Sequence, residues 1–166
     1  MRTAEHPAAP APTAGDDTLV EIRDLRVVLP LLEGNLVAAD GVNFAIREGR
    51  TLGLVGESGC GKTITAQSIL KIGPRHARTS GEILLHYPAR PPTDIVALDR
   101  QDRELLRIRG GECAMIFQEP MTSFSPVHTI GNQLMEAILL HRTPDRREAR
   151  AIAIAMLQKV GIPAPD

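Results

Sequence analysis

The sequence has little that would act at long range. Its 19 Lys and Arg nearly balance 20 Asp and Glu, for a formal charge of -1, so no general field gathers nucleic acid or anionic lipid, and any anion binding must come from a local site. Two cysteines, Cys60 and Cys113, are too few for a disulfide framework and too far apart for a metal knuckle, and they read as free thiols. The longest aliphatic run, residues 151–157, is far below the about 20 apolar residues that span a bilayer, so membrane association is expected to go through a partner. Residues 1–17 are rich in Ala and Pro without a continuous apolar stretch. This excludes a secretory core and predicts a disordered tail.

What is there suits a folded domain: 166 residues, 43% of them apolar, are enough for one core. Leu25, Val27 and Leu29 alternate with charged or small residues, and Val42, Phe44 and Ile46 alternate with Asn43, Ala45 and Arg47, predicting two half-buried strands. Glu33-Gly34-Asn35 supplies turn chemistry between them, and an antiparallel meander is the simplest assembly. Residues 51–55 form an apolar run without alternation, as expected of a strand buried on both faces. A helix is expected over residues 62–72, stopped by Gly73-Pro74, then a strand around Ile83 to Leu85, a charged helix over 99–107 and a buried strand over 114–117. Ile130, Leu134, Ala137 and Ile138 make one helical stripe, and Ala149, Ile152, Ala153, Met156 and Val160 another. Thr143 is placed to cap the second helix, with Pro144 at its first position and Gly161 and Pro163 ending it.

Between the expected strand at 51–55 and the expected helix from residue 62 lies Gly56-Glu57-Ser58-Gly59-Cys60-Gly61-Lys62-Thr63. It fits the phosphate-binding P-loop, G-x-x-x-x-G-K-[ST], in the strand-to-helix context the motif needs. Gly56, Gly59 and Gly61 allow close backbone approach, so that N–H groups face phosphate oxygens, with Glu57, Ser58 and Cys60 contributing mainly backbone. Lys62 is placed to reach the β- and γ-phosphates, and the Thr63 hydroxyl to ligate Mg²⁺. A metal-assisted phosphoryl reaction also calls for an acid at a strand end. Ile95-Val96-Ala97-Leu98-Asp99 has that outline, but Asp99 opens a charged run and reads rather as a helix start.

Downstream, Phe117-Gln118-Glu119-Pro120-Met121-Thr122-Ser123-Phe124-Ser125-Pro126 resembles the Q-loop of ABC ATPases, in the form found in oligopeptide, dipeptide and nickel importers. Leu52-Gly53-Leu54-Val55-Gly56-Glu57-Ser58-Gly59 and Arg107-Ile108-Arg109-Gly110 are phrased as in the same branch. The resemblance runs from about Leu19 to the end of the chain.

It implies an α/β P-loop fold of ABC-ATPase type. An antiparallel β-subdomain and P-loop core would occupy 18–118, and the Q-loop with the start of a helical subdomain 118–166. Its function would be the ATP-binding, energy-coupling subunit of an importer for peptides or similar solutes, peripheral on the cytoplasmic face of the membrane. ATP and Mg²⁺ would be the cofactors. A second ATPase subunit, identical or not, and transmembrane permease subunits would be the partners, with a solute-binding protein acting indirectly and no nucleic acid. Lys62 and Gln118 would be catalytic, with Thr63 and Gln118 at the metal and Gln118 coupling the nucleotide to the permease.

Departures from the family pattern accompany the resemblance. Leu29 stands where an aromatic residue usually stacks on adenine, and the only tyrosine, Tyr87, lies elsewhere. Residues 87–92 are expected to interrupt a strand-turn-strand, and Phe124-Ser125 replaces Leu-Asn. The sequence shows no signature motif, Walker B acid pair or switch histidine, so the expectation is a truncated chain with weak nucleotide binding and little turnover. Two other readings remain open on the residues alone: a complete small P-loop kinase or GTPase using Asp99, or a nucleotide-binding remnant without catalysis.

Overall fold

The computed structural model describes residues 17–118 and 124–164; the expected tail lies outside them except for Asp17. The described chain forms two compact units, one ending at Leu106 and one starting at Arg107. In the first, β1 (Thr18–Leu31), β2 (Gly34–Arg47), β3 (Arg78–Tyr87) and β4 (Arg90–Asp94) make one antiparallel sheet in the order β2-β1-β3-β4. The hairpin of β1 and β2 is as expected, but β3 returns to the far side of β1 rather than continuing a meander from β2.

As a central strand, β1 buries residues on both faces. A bulge between Ile22 and Leu25, with Asp24 at φ 45°, lets these two residues, three apart, share the apolar face with Val20 and Val27. Ile83 of β3 is buried as well. On the other face the fully buried Glu21 carboxylate accepts Arg23 Nε at 2.9 Å and Arg23 Nη2 at 3.0 Å, and His86 Nε2 of β3 lies 3.2 Å from its Oε2. Burial pushes this carboxyl up, but the Arg23 hydrogen bonds and charge, together with His86, outweigh it and hold the group below its ordinary 4.5.

Residues 87–92 do not interrupt a strand-turn-strand; they form one, from the end of β3 to the start of β4. Pro88-Ala89 joins β3 to β4, Tyr87 pairs with Arg90, and the Arg90 guanidinium lies 3.5 Å from the Tyr87 ring centroid. Pro91 and Pro92 are tolerated because β4 is an edge strand.

After the P-loop, α1 (Lys62–Ile69) is shorter than expected. Lys71 takes φ 51°, donating its N–H to Ser68 O at 3.0 Å, while Ile72 N–H reaches Gln67 O at 3.0 Å. That closes the helix in a Schellman motif ahead of Gly73. The Lys71 ammonium donates to Val96 O at 2.8 Å and to Leu98 O, and Arg100 Nη2 donates to Gly73 O at 3.0 Å. These bonds tie the end of α1 to the turns over 95–101. The charged helix α2 (Arg103–Gly111) starts later than expected. Asp99 instead forms a turn, accepting Gln101 N–H at 2.9 Å, and Asp102 accepts Glu104 N–H at 2.8 Å at the true helix start.

In the second unit, α2 is irregular at Arg109 and Gly110, and α3 (Ile130–His141) and α4 (Arg146–Lys159) pack together. The cap of α4 is Asp145, which accepts Arg147 N–H at 2.8 Å. Thr143, the expected cap, is buried two residues earlier, donating to Glu148 Oε2 at 2.5 Å and accepting Asp145 N–H at 3.2 Å. Ala149 and Ala153 carry the buried stripe of α4, whereas Met156 and Val160 are exposed.

Two expected strands do not form. Residues 51–55 and 114–117 have no strand partner among the described residues, and Val55 and Ile116 are 94% and 96% exposed. A buried parallel strand exists only where neighbours take up its N–H and C=O groups on both edges. Apolar character alone does not make one.

Two stability tests follow from this packing. Ile83→Ala is expected to cost about 2–5 kcal/mol in denaturant unfolding. The Glu21 carboxyl, lowered in the folded state, stabilises the fold above pH 4.5 and loses that contribution as pH falls through its depressed value. Glu21→Gln is therefore expected to lower Tm at pH 7 and to flatten the fall in Tm between pH 4.5 and the acid limit.

Candidate functional site: a glycine loop at the start of α1

The loop over residues 56–61 is exposed except for Gly61, which is half-buried as the N-cap of α1 at φ 92°. Its position is fixed by backbone contact with β2. Val27 pairs with Ala39 and Val28 with Val37, which leaves Ala38 without a partner on β1. A β-carbon at Gly61 would stand 2.1 Å from the Ala38 carbonyl oxygen. Only glycine allows this approach and this dihedral together.

No side chain caps α1, so its first-turn N–H groups and the positive end of its dipole are left for an anion. Lys62 folds back over the loop: its ammonium donates to Gly56 O at 2.7 Å and Glu57 O at 2.6 Å, with Cys60 Sγ at 3.4 Å. The loop carbonyls thus hold the cation against the glycines. Space beside Gly59, at φ 82°, is open: a β-carbon there would meet no atom within 4 Å beyond its chain neighbours. Thr63 is exposed on the first turn, and its hydroxyl makes no hydrogen bond among the described residues. Glycines, an uncapped helix start, one lysine and a free hydroxyl fit a phosphate group with an associated divalent cation.

Leu29 is half-buried near the end of β1, paired with Leu36. Around it Leu31, Leu32, Leu36 and Val37 are exposed, so the hairpin tip beyond Ala38 is aliphatic. Gln118 belongs to the second unit and is exposed. Residues 119–123 of the expected Q-loop lie outside the described residues. Asp99 is exposed, its carboxylate engaged by Gln101 N–H. No group of three or more His, Cys, Asp or Glu suited to a metal occurs among the described residues. Both cysteines are free, and burial pushes the Cys113 thiol up.

Sequence reasoning missed the Ala38 bulge, the Lys71 and Arg100 ties behind α1, and the Gln133 side chain, whose Oε1 accepts Ser125 N–H at 2.7 Å and whose Nε2 donates to Ser125 O at 3.1 Å and His128 O at 2.9 Å. Turn position or residue type signals none of them, because each depends on what the fold brings opposite.

The sequence profile of the ABC transporter family matches residues 39–165. The chain belongs to that family. It is 41% identical over its whole length to a probable peptide ABC transporter ATP-binding protein of Sinorhizobium fredii, covering 46% of that protein. Over 90% of its length it is 38% identical to the dipeptide transport ATP-binding protein DppD of Bacillus subtilis, covering 43% of it. Over 98% it is 34% identical to the oligopeptide transport ATP-binding protein OppD of Escherichia coli, covering 46%. The chain thus spans less than half the length of these relatives. The family places it in the α/β P-loop class, of which the described residues show an antiparallel sheet and four helices.

Gly61→Ala is expected to disturb the loop from two sides, by its positive φ and by collision with Ala38 O. Purified Gly61→Ala should melt at lower temperature than the wild type and bind inorganic tripolyphosphate at least about tenfold more weakly.

Proposed function

We propose that this chain is the nucleotide-binding part of the energy-coupling subunit of an ABC importer for peptides or similar small solutes. The observation that carries this is the Lys62 ammonium, drawn into the glycine loop by Gly56 and Glu57 carbonyls at the uncapped start of α1. Family membership and the peptide-transport names of the relatives support the class of transporter.

In this reading Lys62 exchanges its carbonyl partners for the β- and γ-phosphate oxygens of ATP, while backbone N–H groups of residues 56–61 and the start of α1 hold the remaining oxygens. Thr63 directs its hydroxyl at the metal. Magnesium held beside the Thr63 hydroxyl would offset charge on the γ-phosphoryl group. Leu29 packs its side chain on the adenine without aromatic stacking. Gln118 contributes its amide at the metal and attacking water, a role carried by its motif, and links nucleotide state to the permease.

Hydrolysis driving transport belongs to the whole assembly, with a second ATP-binding subunit, transmembrane permease subunits and, indirectly, a solute-binding protein. The chain would sit at the cytoplasmic face of the membrane; among the described residues no helix is long and apolar enough to cross it. Family membership leaves the kinase or GTPase reading without support, and Asp99 is a turn residue.

Titration of the purified chain with a fluorescent ATP analogue tests the reading. Binding should be magnesium-dependent, and Lys62→Ala should weaken it at least about tenfold, as expected for loss of a charge-assisted contact to phosphate. Equal affinity in the two proteins would overturn the phosphate-site assignment.

A further inference from the structure

Helix α1 has little to hold it along its length. Of its eight residues only Thr65 and Ser68 are buried. A cavity of about 20 Å³ lies between the helix and the sheet, lined by Ile64 and Ser68 of α1, Val27 of β1, Ile95, Lys71 and Arg100. A helix this short is not stable by itself, and a void under it forfeits the contacts that would fix its side. Its ends therefore decide where it points, and the front end is set by Gly61 against the Ala38 carbonyl.

The rear end is held by two cations whose bonds run in opposite directions. The Lys71 ammonium donates to Val96 O at 2.8 Å and to Leu98 O, with Ile95 O at 3.5 Å. An ammonium has three N–H donors, and this one faces three carbonyls of a single stretch of chain. In the reverse direction Arg100 Nη2, just past that stretch, donates to Gly73 O at 3.0 Å and to Pro74 O at 3.2 Å. Lys71 also takes the left-handed position that closes the helix, at φ 51°, where glycine is usual. Glycine would fit that backbone better; what only lysine adds is the ammonium.

We propose that Lys71 is a positioning residue for the phosphate site: the clamp it forms with Arg100 fixes the rear of α1 and so aims the first-turn N–H groups at Lys62 and Thr63, about 12 Å away along the helix, without touching the anion. The proposal rests on the reading of the glycine loop as a phosphate site. Loss of the clamp leaves Lys62 and the loop glycines present but lets the helix axis swing, so the donors no longer converge on one point. A residue that only stabilised the fold would change melting and leave the affinity of the folded molecule as it was.

The test measures the Kd of inorganic tripolyphosphate for the full chain at about 0.15 M salt, where a charge about 12 Å from the anion is largely screened. Lys71→Gly keeps the helix-closing backbone and loses the ammonium; Lys71→Asn, which also tolerates a left-handed φ, takes its place if the glycine variant loses its helical circular dichroism. Arg75→Gln removes a charge from the exposed turn after α1 without touching the clamp, and Lys62→Ala checks the phosphate site itself. Lys71→Gly is expected to bind at least about fivefold more weakly at a Tm within about 3 °C of wild type, and Arg75→Gln to stay within about twofold. The Lys62 and Thr63 amide resonances of ligand-free Lys71→Gly should also shift, although both residues lie at the other end of the helix. If Lys62→Ala weakens binding while Lys71→Gly stays within about twofold of wild type, or Arg75→Gln loses as much as Lys71→Gly, the clamp is refuted and the phosphate reading stands. If Lys62→Ala binds as tightly as wild type, the phosphate reading falls and the role of Lys71 falls with it.

Discussion

The close approach of Gly61 to the Ala38 carbonyl sets where α1 begins relative to the sheet. A bulge frees Ala38 from the β1–β2 ladder, and a glycine at positive φ admits its oxygen at a distance no β-carbon tolerates. From that contact the helix start, the reach of Lys62 back to Gly56 and Glu57, and the outward direction of Thr63 all follow. Behind the helix, Lys71 and Arg100 tie its far end to the turns after β4. The loop is therefore held at both ends of α1, by backbone packing in front and by hydrogen-bonded cations behind, while its own residues stay open to solvent.

Charge at the loop follows the same logic. An ammonium surrounded by carbonyl oxygens and a helix start without a cap are each half of an interaction. On the proposed reading a phosphate would complete both at once, accepting from Lys62 and from the first-turn N–H groups. With so low a net charge over the chain, anion affinity would have to come from a local arrangement such as this one. The Glu21 cluster on the opposite strand face plays a different part, because there the acid is already paired with Arg23 and His86 and serves the sheet.

Features set by neighbours in sequence were legible beforehand. The glycine loop, the helix beginning at Lys62 and the helices around Leu134 and Ala153 each declare themselves through spacing and turn residues, and the β1–β2 hairpin does so too, although its turn falls at Leu32-Glu33 with Gly34 and Asn35 already in β2. Ends of helices were less legible, since Lys71 closes α1 by adopting a left-handed conformation that its ammonium contacts sustain, and Asp145 rather than Thr143 caps α4. Least legible were residues 51–55 and 114–117. Their apolar runs describe strands buried on both faces, yet strand formation depends on hydrogen-bonding partners that no local pattern encodes. The places of Lys62 and Thr63 at the start of α1 could be read from the motif, whereas the Gln133 side chain shows its partner only through the Ser125 main chain it meets.

Whether the loop receives phosphate on its backbone is open to direct observation by amide resonances during titration with inorganic tripolyphosphate and Mg²⁺. The largest shifts should fall on Gly59, Cys60, Gly61, Lys62 and Thr63, with the strand residues of β3 and β4 unmoved. Unchanged resonances for residues 59–63 at saturating ligand, or shifts centred on another part of the chain, would contradict the account.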